Sequence, residues 1–190
     1  MSNSYYYLIA SLPYLSFQKP QSISIPEFSS RCSSYLNKKD FDAVLSIIAG
    51  DPNKAARSLK TVIDWLSWDL AIRGSLAGLR AADLGRSVAE EGDKGAKREI
   101  LDLATDIFGA ASPIDADEML DLARWRMLES LEHGHYFNME WLALYCLKLK
   151  IAERRAGFDL QTGEARVADI MDRAKGAYAA YDDEGVSHAA

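Results

Sequence analysis

The stretch MEWLALYCLKLKIAERRA, residues 139–156, decides the fold because apolar side chains cover two of its faces at helical spacing. The first face carries Leu142, Tyr145, Cys146 and Leu149, and the second carries Trp141, Leu144 and Ile151. A helix that is apolar over so wide an arc is buried on most of its sides. The sequence therefore predicts a central helix, capped by Asn138 and ended by Gly157, against which the other helices pack.

Helical periodicity also dominates the rest of the chain. The predicted helices cover residues 5–12, 25–36, 38–49, 54–84, 98–109, 115–132 and 164–181. For residues 5–12, which Pro13 ends, an extended segment is the alternative. The predicted fold class is all-α, a single multi-helix, bundle-like domain over residues 1–181. It has a flexible loop near residues 85–97 and a frayed tail at residues 182–190.

Local patterns give more detailed predictions. Ser24 and Glu27 form a capping box, in which the Ser24 hydroxyl accepts from the Glu27 amide and the Glu27 carboxylate reaches back to Ser24. Asn37 is the expected N-cap of the next helix. Gly74 and Gly78 would let a neighbouring helix approach closely. The residues that periodicity places on core-facing stripes include Phe41, Val44, Leu45, Ile48, Leu59, Val62, Ile63, Leu66, Leu70, Met119 and Leu128.

Composition and charge narrow the class of protein. A chain of 190 residues with 48% hydrophobic and 26% charged residues is typical of a globular protein. The net charge of −6 argues against nucleic-acid binding, which needs a basic face, and gives no attraction to an anionic membrane surface. No apolar run approaches the about 18 residues that span a bilayer, and the first residues lack the basic start of a secretory signal. We expect a cytoplasmic protein with no nucleic-acid partner and no direct membrane insertion.

Motifs of well-known catalytic sites do not occur in the sequence. It contains no GxxxxGK[ST], GxGxxG, GxSxG or HExxH. Two of its three histidines lie at one turn and the third near the end, so a histidine-centred acid–base site is not expected. Cys32 and Cys146 are far apart in sequence and are expected to be reduced, half-buried helix residues. We predict no enzymatic activity, no catalytic residue and no cofactor.

One cluster has the residue types of a metal site. Glu129, His133 and His135 surround the Gly134 turn, and a metal-assisted enzyme that uses them is an alternative hypothesis. No remote cysteine or histidine completes a ligand set. Histidines at the end of a helix more often compensate its dipole. We therefore predict no metal site.

Charged residues within the helical patterns are expected at solvent-facing edges. Asp69 and Arg73, four residues apart, form an intrahelical pair at the edge of the core, or else a polar contact into a partner groove or a buried specificity pair. Four carboxylates at the start of the 115–132 helix are expected to be solvated and to offset its dipole. They belong to Asp115, Asp117, Glu118 and Asp121. A basic patch near the end of the central helix either satisfies late carbonyls or docks an acidic partner. It comprises Lys148, Lys150, Arg154 and Arg155.

Three stretches resemble a bacterial family of uncharacterised proteins associated with V/A-type ATPases. They are YYYLIASLP at residues 5–13, WDLAIR at residues 68–73 with LRA at 79–81 and LG at 84–85, and residues 137–158. The second stretch is also faintly similar to the aspartate-containing helix of the central-stalk subunit that is called C in archaeal and d in eukaryotic enzymes.

The resemblance implies a non-catalytic subunit or accessory factor of a proton- or sodium-translocating rotary ATPase. A C/d-like central-stalk component, which couples the ATPase head to the membrane ring, is one form of this role. The implied partners are other V/A-type ATPase subunits, and the implied location is cytoplasmic, peripheral at the inner face of the membrane through the complex. The alternative is a generic cytosolic helical interaction or regulatory domain unrelated to ATPases. The expected partner-contact residues are Tyr5, Tyr6, Tyr7, Asp69, Arg73, Arg80, Lys148, Arg154 and Arg155.

Overall fold

The secondary structure of the described residues is entirely helical, which confirms the all-α prediction. The structure is a computed structural model that describes residues 3–51, 58–86, 98–157, 171 and 173. Its helices are α1 (Asn3–Ser11), α2 (Ile25–Tyr35), α3 (Lys38–Ile48), α4 (Lys60–Asp83), α5 (Arg98–Phe108), α6 (Pro113–Glu132) and α7 (Met139–Ala156). Among them, none combines the length and the mean hydropathy of a membrane span.

The chain divides into two compact units, Met1–Glu153 and Arg154–Ala190. Of the second unit the structure describes residues 154–157, the last turn of α7 and Gly157, and the helical residues Met171 and Arg173. The predicted single domain over residues 1–181 therefore stays a prediction. Most of the predicted loop at 85–97, most of the predicted 164–181 helix and the whole 182–190 tail lie outside the described residues.

Helix α7 is the centre of the first unit, as its sequence predicts. Every residue from Leu142 to Leu149 is buried. The main core forms around this helix from residues of α1, α2, α3, the start of α4 and the end of α6. Its largest fully buried members include Leu8, Ile23, Phe28, Ile47, Leu128, Leu142, Leu144 and Leu149. Burial of each such side chain contributes about 1.5–3 kcal/mol, so this core is the chief source of stability.

A second, smaller cluster of buried residues lies where α4, α5 and α6 pack together, and we call it the distal core. Its buried members are Ile72, Leu76, Ile100, Ala104 and Ile107. Leu79 and Leu120 pack against it from α4 and α6. Helices α4 and α6 thus contribute to both cores. In each of these helices, one half packs in the main core and the other half packs in the distal core.

The tyrosine run at the start of the chain forms a helix, so the extended alternative is wrong. Leu8 and Ile9 of α1 are buried in the main core, and Tyr5 packs against it and donates to the Asp40 carboxylate of α3. The Tyr145 hydroxyl of α7 donates to the carbonyl of Pro13 at 2.8 Å, just after the helix ends. The inner face of α1 is therefore fixed to both α3 and α7.

Predicted helix caps are largely confirmed. Asn37 and Asn138 accept from the amides three residues later, at 3.0 and 2.9 Å, and begin α3 and α7. The Ser24 hydroxyl accepts from the Glu27 amide at 3.3 Å, but the reciprocal half of the capping box is wrong. The Glu27 carboxylate instead binds Arg31 at 2.6 Å, because an i,i+4 cation lies on the same face of α2.

Helix α4 begins at Lys60, later than the predicted start at residue 54, and residues 52–57 lie outside the described ranges. Its preceding residue, Leu59, has no side chain that could cap the helix. Glu140 of α7 supplies the cap instead. The two oxygens of its carboxylate accept from the amides of Lys60 and Thr61 at 3.1 Å, and the Thr61 hydroxyl donates to it as well. A carboxylate in this place satisfies free amides and complements the helix dipole.

Several predicted core residues are exposed. The neighbouring helices cover a narrower arc of each helix than the arc that its apolar residues occupy. Leu45 of α3 and Met119 of α6 are exposed, whereas Ile47 is buried. On α4, Ile63 and Leu70 are 46% and 66% exposed. The close helix approach predicted at Gly74 and Gly78 is also wrong, since a methyl group added at either position would meet no atom within 4 Å.

Cys32 and Cys146 are more deeply buried than predicted, since both side chains are free thiols without solvent exposure. Burial raises the pKa of the Cys32 thiol to about 12 and also raises the pKa of Cys146. The pKa of the Tyr145 hydroxyl is raised by burial as well. Each of these groups is neutral in the folded core at ordinary pH.

The replacement Glu140→Ala should lower the free energy of unfolding by about 1–2 kcal/mol, because the first amides of α4 lose their acceptor. Urea unfolding followed by circular dichroism measures the change. Glu153→Ala removes an exposed carboxylate from the same helix and should change the free energy by less than about 0.5 kcal/mol. Equal losses in the two variants would contradict the capping role of Glu140.

The free energy of unfolding should fall as the pH rises above about 8.5, the ordinary pKa of a thiol. Unfolded cysteines lose their protons there, whereas folded Cys32 keeps its proton up to about pH 12, so stability is complete below the unfolded pKa and declines above it. Each thiol contributes a slope of about 1.4 kcal/mol per pH unit. Urea unfolding between pH 7 and 10.5 should show a shallower decline for Cys32→Ala, and an unchanged slope would refute this explanation.

Candidate interaction surface

Three exposed aromatic side chains meet on the surface of the first unit, and we call them the aromatic patch: Tyr6, Tyr7 and Phe137. The ring centroids of Tyr6 and Phe137 are 4.8 Å apart, and those of Tyr6 and Tyr7 are 5.7 Å apart in an edge-to-face arrangement. Each of the three residues is half exposed or more. Contacting aromatic side chains at a surface are typical of protein interfaces, where they become anchors.

Helix α1 places two members of the patch. Because consecutive helical residues are rotated by about 100°, the burial of Tyr5, Leu8 and Ile9 turns Tyr6 and Tyr7 toward solvent. Arg31 of α2 donates to the carbonyl of Ser11 at 2.6 Å and helps to fix the end of α1. The tyrosine run is therefore divided between core and surface within three residues.

The loop between α6 and α7 places the third member. Gly134 has φ of +85°, a left-handed conformation that favours glycine, and it turns the chain after α6. The amide of His135 donates to the carbonyl of Glu132 at 3.0 Å, and Asn138 contacts the His135 ring and caps α7. This short, hydrogen-bonded loop holds Phe137 against Tyr6.

Phe137 is not among the partner-contact residues that the sequence predicts. The sequence does carry a signal, since Tyr136 and Phe137 are consecutive aromatic residues between a turn glycine and a helix cap. Such a segment is too short to bury both rings in its own structure. The partner on α1 could not be found from the sequence, because the two segments are about 130 residues apart and no local pattern joins them.

Asp69 and Arg73 form the predicted intrahelical pair, with the Arg73 Nε and an Asp69 carboxylate oxygen 2.8 Å apart. The other Asp69 oxygen accepts from the Arg124 Nε of α6, also at 2.8 Å, and Arg124 lies 3.5 Å from Asp121. Asp69 and Asp121 are 5% and 2% exposed, so the predicted solvation of Asp121 is wrong. We call Asp69, Asp121 and Arg124 the charged layer.

The charged layer lies at the boundary between the two cores. On α4, Val62 belongs to the main core and Ile72 to the distal core, with Asp69 between them in sequence. On α6, Leu120 packs against the distal core and Trp125 lies in the main core, on either side of Asp121 and Arg124. A buried charge is costly unless it is paired, so the contact between Asp69 and Arg124 favours the alignment of α4 and α6 in which the two side chains meet.

The predicted basic patch does not exist as a surface. Lys148 is only 6% exposed. Its ammonium lies 2.8 Å from the Glu132 carboxylate and 5.4 Å from the centre of the Trp125 ring, so the side chain is held inside the first unit. The ammonium of Lys150 donates to the carbonyls of Ile47 and Ile48 at the end of α3. Arg154 is exposed and Arg155 is half-buried, and both residues belong to the second unit. Their partner-contact role stays a prediction.

Two of the three residues of the alternative metal hypothesis make other side-chain contacts in the structure. Glu129 accepts from the Trp125 indole at 2.8 Å, and His135 lies 3.2 Å from the Asn138 amide. His133 is exposed. Among the described residues, no group of three or more histidine, cysteine or acidic side chains could hold a metal ion.

Comparison with known protein families shows a match over part of the chain. Residues 98–177 match the model of a family described as a protein of unknown function, DUF2764. The match covers less than half of the chain and includes α5, α6 and α7, with Phe137 and the α6 residues of the charged layer. No curated protein and no solved structure matches the chain significantly. The description of the family names no ATPase, so the association with V/A-type ATPases stays a prediction.

The replacement Asp69→Ala should lower the free energy of unfolding by about 3 kcal/mol or more, because Arg124 would be left largely buried without its closest carboxylate. The matched control is Asp64→Ala, which breaks a more exposed pair with Lys60 on the same helix. That change should cost less than about 1 kcal/mol in a urea unfolding measurement. Similar losses for both variants would show that the charged layer contributes no more than a surface pair.

Proposed function

We propose that this chain is a non-catalytic helical subunit or accessory factor of a V/A-type rotary ATPase and that it binds other subunits through the aromatic patch. The observation that carries the proposal is that Tyr6 and Tyr7 are exposed within the same N-terminal stretch that resembles the ATPase-associated family. The resemblance supports the ATPase, and the exposure supports a binding role for the stretch.

The residue types of the aromatic patch favour binding of a protein. Tyrosine and phenylalanine have few rotatable bonds, so they lose little conformational entropy when a partner covers them. The tyrosine hydroxyls can also keep a hydrogen bond at the edge of an interface. Residues of this type near the centre of an interface often contribute 2 kcal/mol or more to binding.

The patch is also held in place before any partner arrives. Leu8 and Ile9 anchor α1 from below, Tyr5 bonds to Asp40, and the loop that carries Phe137 is closed by hydrogen bonds on both sides of His135. A surface that is already rigid loses less entropy on association. This suits a component that must transmit force or fix the position of another subunit.

Whether the chain acts as an accessory factor or as a C/d-like stalk component, the proposed location is cytoplasmic and peripheral at the membrane through the complex. The alternative, a helical interaction or regulatory domain unrelated to ATPases, would use the same patch with a different partner. Identification of the partner separates the two.

The test is affinity purification of the full chain from its native cell, followed by mass spectrometry. We expect ATPase subunits with the wild-type chain and at least about tenfold less of them with the double variant Tyr6→Ala, Phe137→Ala, which corresponds to a loss of about 1.4 kcal/mol. Recovery of a stable partner without any ATPase subunit would refute the ATPase assignment and favour the alternative.

The control for this experiment is Tyr35→Ala, which truncates an exposed tyrosine at the end of α2. Its recovery of partners should equal that of the wild type. The thermal midpoints of all three proteins should agree within a few degrees, because the replaced side chains are at least partly exposed. Unchanged partner recovery by the double variant would show that the patch is not the binding surface.

A further inference from the structure

Helix α5 differs from the other described helices because its buried residues belong to the distal core alone. These residues are Ile100, Ala104 and Ile107, and Leu103 packs beside them. The main core, in contrast, is built from residues of α1, α2, α3, α4, α6 and α7. Helix α5 therefore adds to the stability of the first unit without taking part in its main core.

Helices α4 and α6 form the groove in which α5 lies, and we call it the α4–α6 groove. Helix α4 lines it with Ile72, Leu76 and Leu79, and α6 lines it with Ala116 and Leu120. All five side chains are apolar, so burial against them is what holds α5 in its place.

The side-chain polar contacts of α5 in the described structure lie within the helix itself. The Arg98 Nε is 3.9 Å from the Asp102 carboxylate, and the Thr105 hydroxyl donates to the carbonyl of Leu101 at 2.8 Å. Helix α5 has 11 residues, and an isolated helix of that length is only marginally stable in water. Docking in the groove is therefore what keeps α5 helical.

Helices α4 and α6 are joined to each other by contacts that do not involve α5. The Arg124 Nε of α6 donates to the Asp69 carboxylate of α4 at 2.8 Å, and the other half of each helix packs in the main core. Helix α6 also has its own N-cap, because the Ser112 hydroxyl accepts from the Asp115 amide at 3.1 Å. The groove thus keeps both of its walls when α5 leaves it.

We propose that α5 is a reversible lid, which leaves the α4–α6 groove and unfolds as one unit while the main core and the charged layer stay intact. Openings of this kind involve the parts of a protein that bury the fewest apolar side chains. The open state exposes the apolar lining of the groove, and α5 folds again when it returns. This motion does not depend on the aromatic patch, so it is tested separately from the ATPase assignment.

The first test is native-state hydrogen exchange of the full chain, followed by NMR at increasing urea concentrations below the unfolding transition. Amides of residues 102–108 should be protected at least about 100-fold less than those of residues 144–149. They should also share one opening equilibrium and lose protection together as urea is added, because the helix exposes its apolar face in a single step. Equal protection in the two segments, or α5 amides that fray one by one without a response to urea, would overturn the proposal.

The variant Val44→Ala separates lid opening from global unfolding. Val44 is fully buried in the main core, so its truncation destabilises the closed and the open states equally relative to the unfolded chain. Protection of residues 144–149 should fall about tenfold or more, whereas protection of residues 102–108 should not change. A similar loss in both segments would show that α5 opens only when the whole unit unfolds.

A second measurement follows a side chain of the lid instead of its backbone. In the variant Ala104→Cys, the new thiol lies in the groove when α5 is docked and can react with dithiobis(nitrobenzoate) when α5 is open. The free thiols of Cys32 and Cys146 are buried in the main core of the same molecule and report its opening. The new thiol should react at least about 100-fold faster than they do. Reaction of all three thiols at one rate would contradict a separate opening of α5.

Discussion

The structure depends on the burial of the middle of α7, Leu142 to Leu149, between the surrounding helices. Eight consecutive buried residues require partners on all sides, and every polar group that α7 carries into this environment must also be satisfied. Four of its side chains meet that demand by binding other parts of the first unit. Tyr145 reaches the chain after α1, Lys150 the end of α3, Glu140 the start of α4, and Lys148 the end of α6.

These contacts make α7 more than a hydrophobic centre. The apolar residues supply most of the free energy, but they do not by themselves decide where a neighbouring helix starts or stops. Glu140 and Lys150 do so, because each satisfies backbone groups that a helix end leaves free. At the boundary of the distal core the charged layer has a comparable role for α4 and α6. Burial stabilises the unit, and polar contacts between helices specify one arrangement of it.

The sequence predicts well where most helices begin and end, but it predicts poorly which residues of other helices they contact. Periodicity and local caps identify α7, α3 and α1, because Asn138, Asn37 and Pro13 act within a few residues of each boundary. The predicted start of α4 is too early because the residue that caps this helix, Glu140, lies about 80 residues away in sequence. The sequence predicts Leu70 in the core, although it is exposed, because an apolar stripe shows that a helix has an apolar side but not whether a neighbour covers it. Asp121 is predicted to be solvated because the sequence does not show that the packing of α6 on α4 buries it beside Arg124.

The position of α7 in the chain has a consequence for synthesis. When α1 to α4 leave the ribosome, the helix that completes their interior and binds their ends has not yet been made. They must wait, partly open and with apolar faces accessible, while the 73 residues from Leu84 to Ala156 are added. The distal core, built from α4, α5 and α6, can form first. Nascent chains of this protein should therefore depend on chaperones late in translation, and a stop codon before residue 139 should give an aggregating product rather than a smaller stable one.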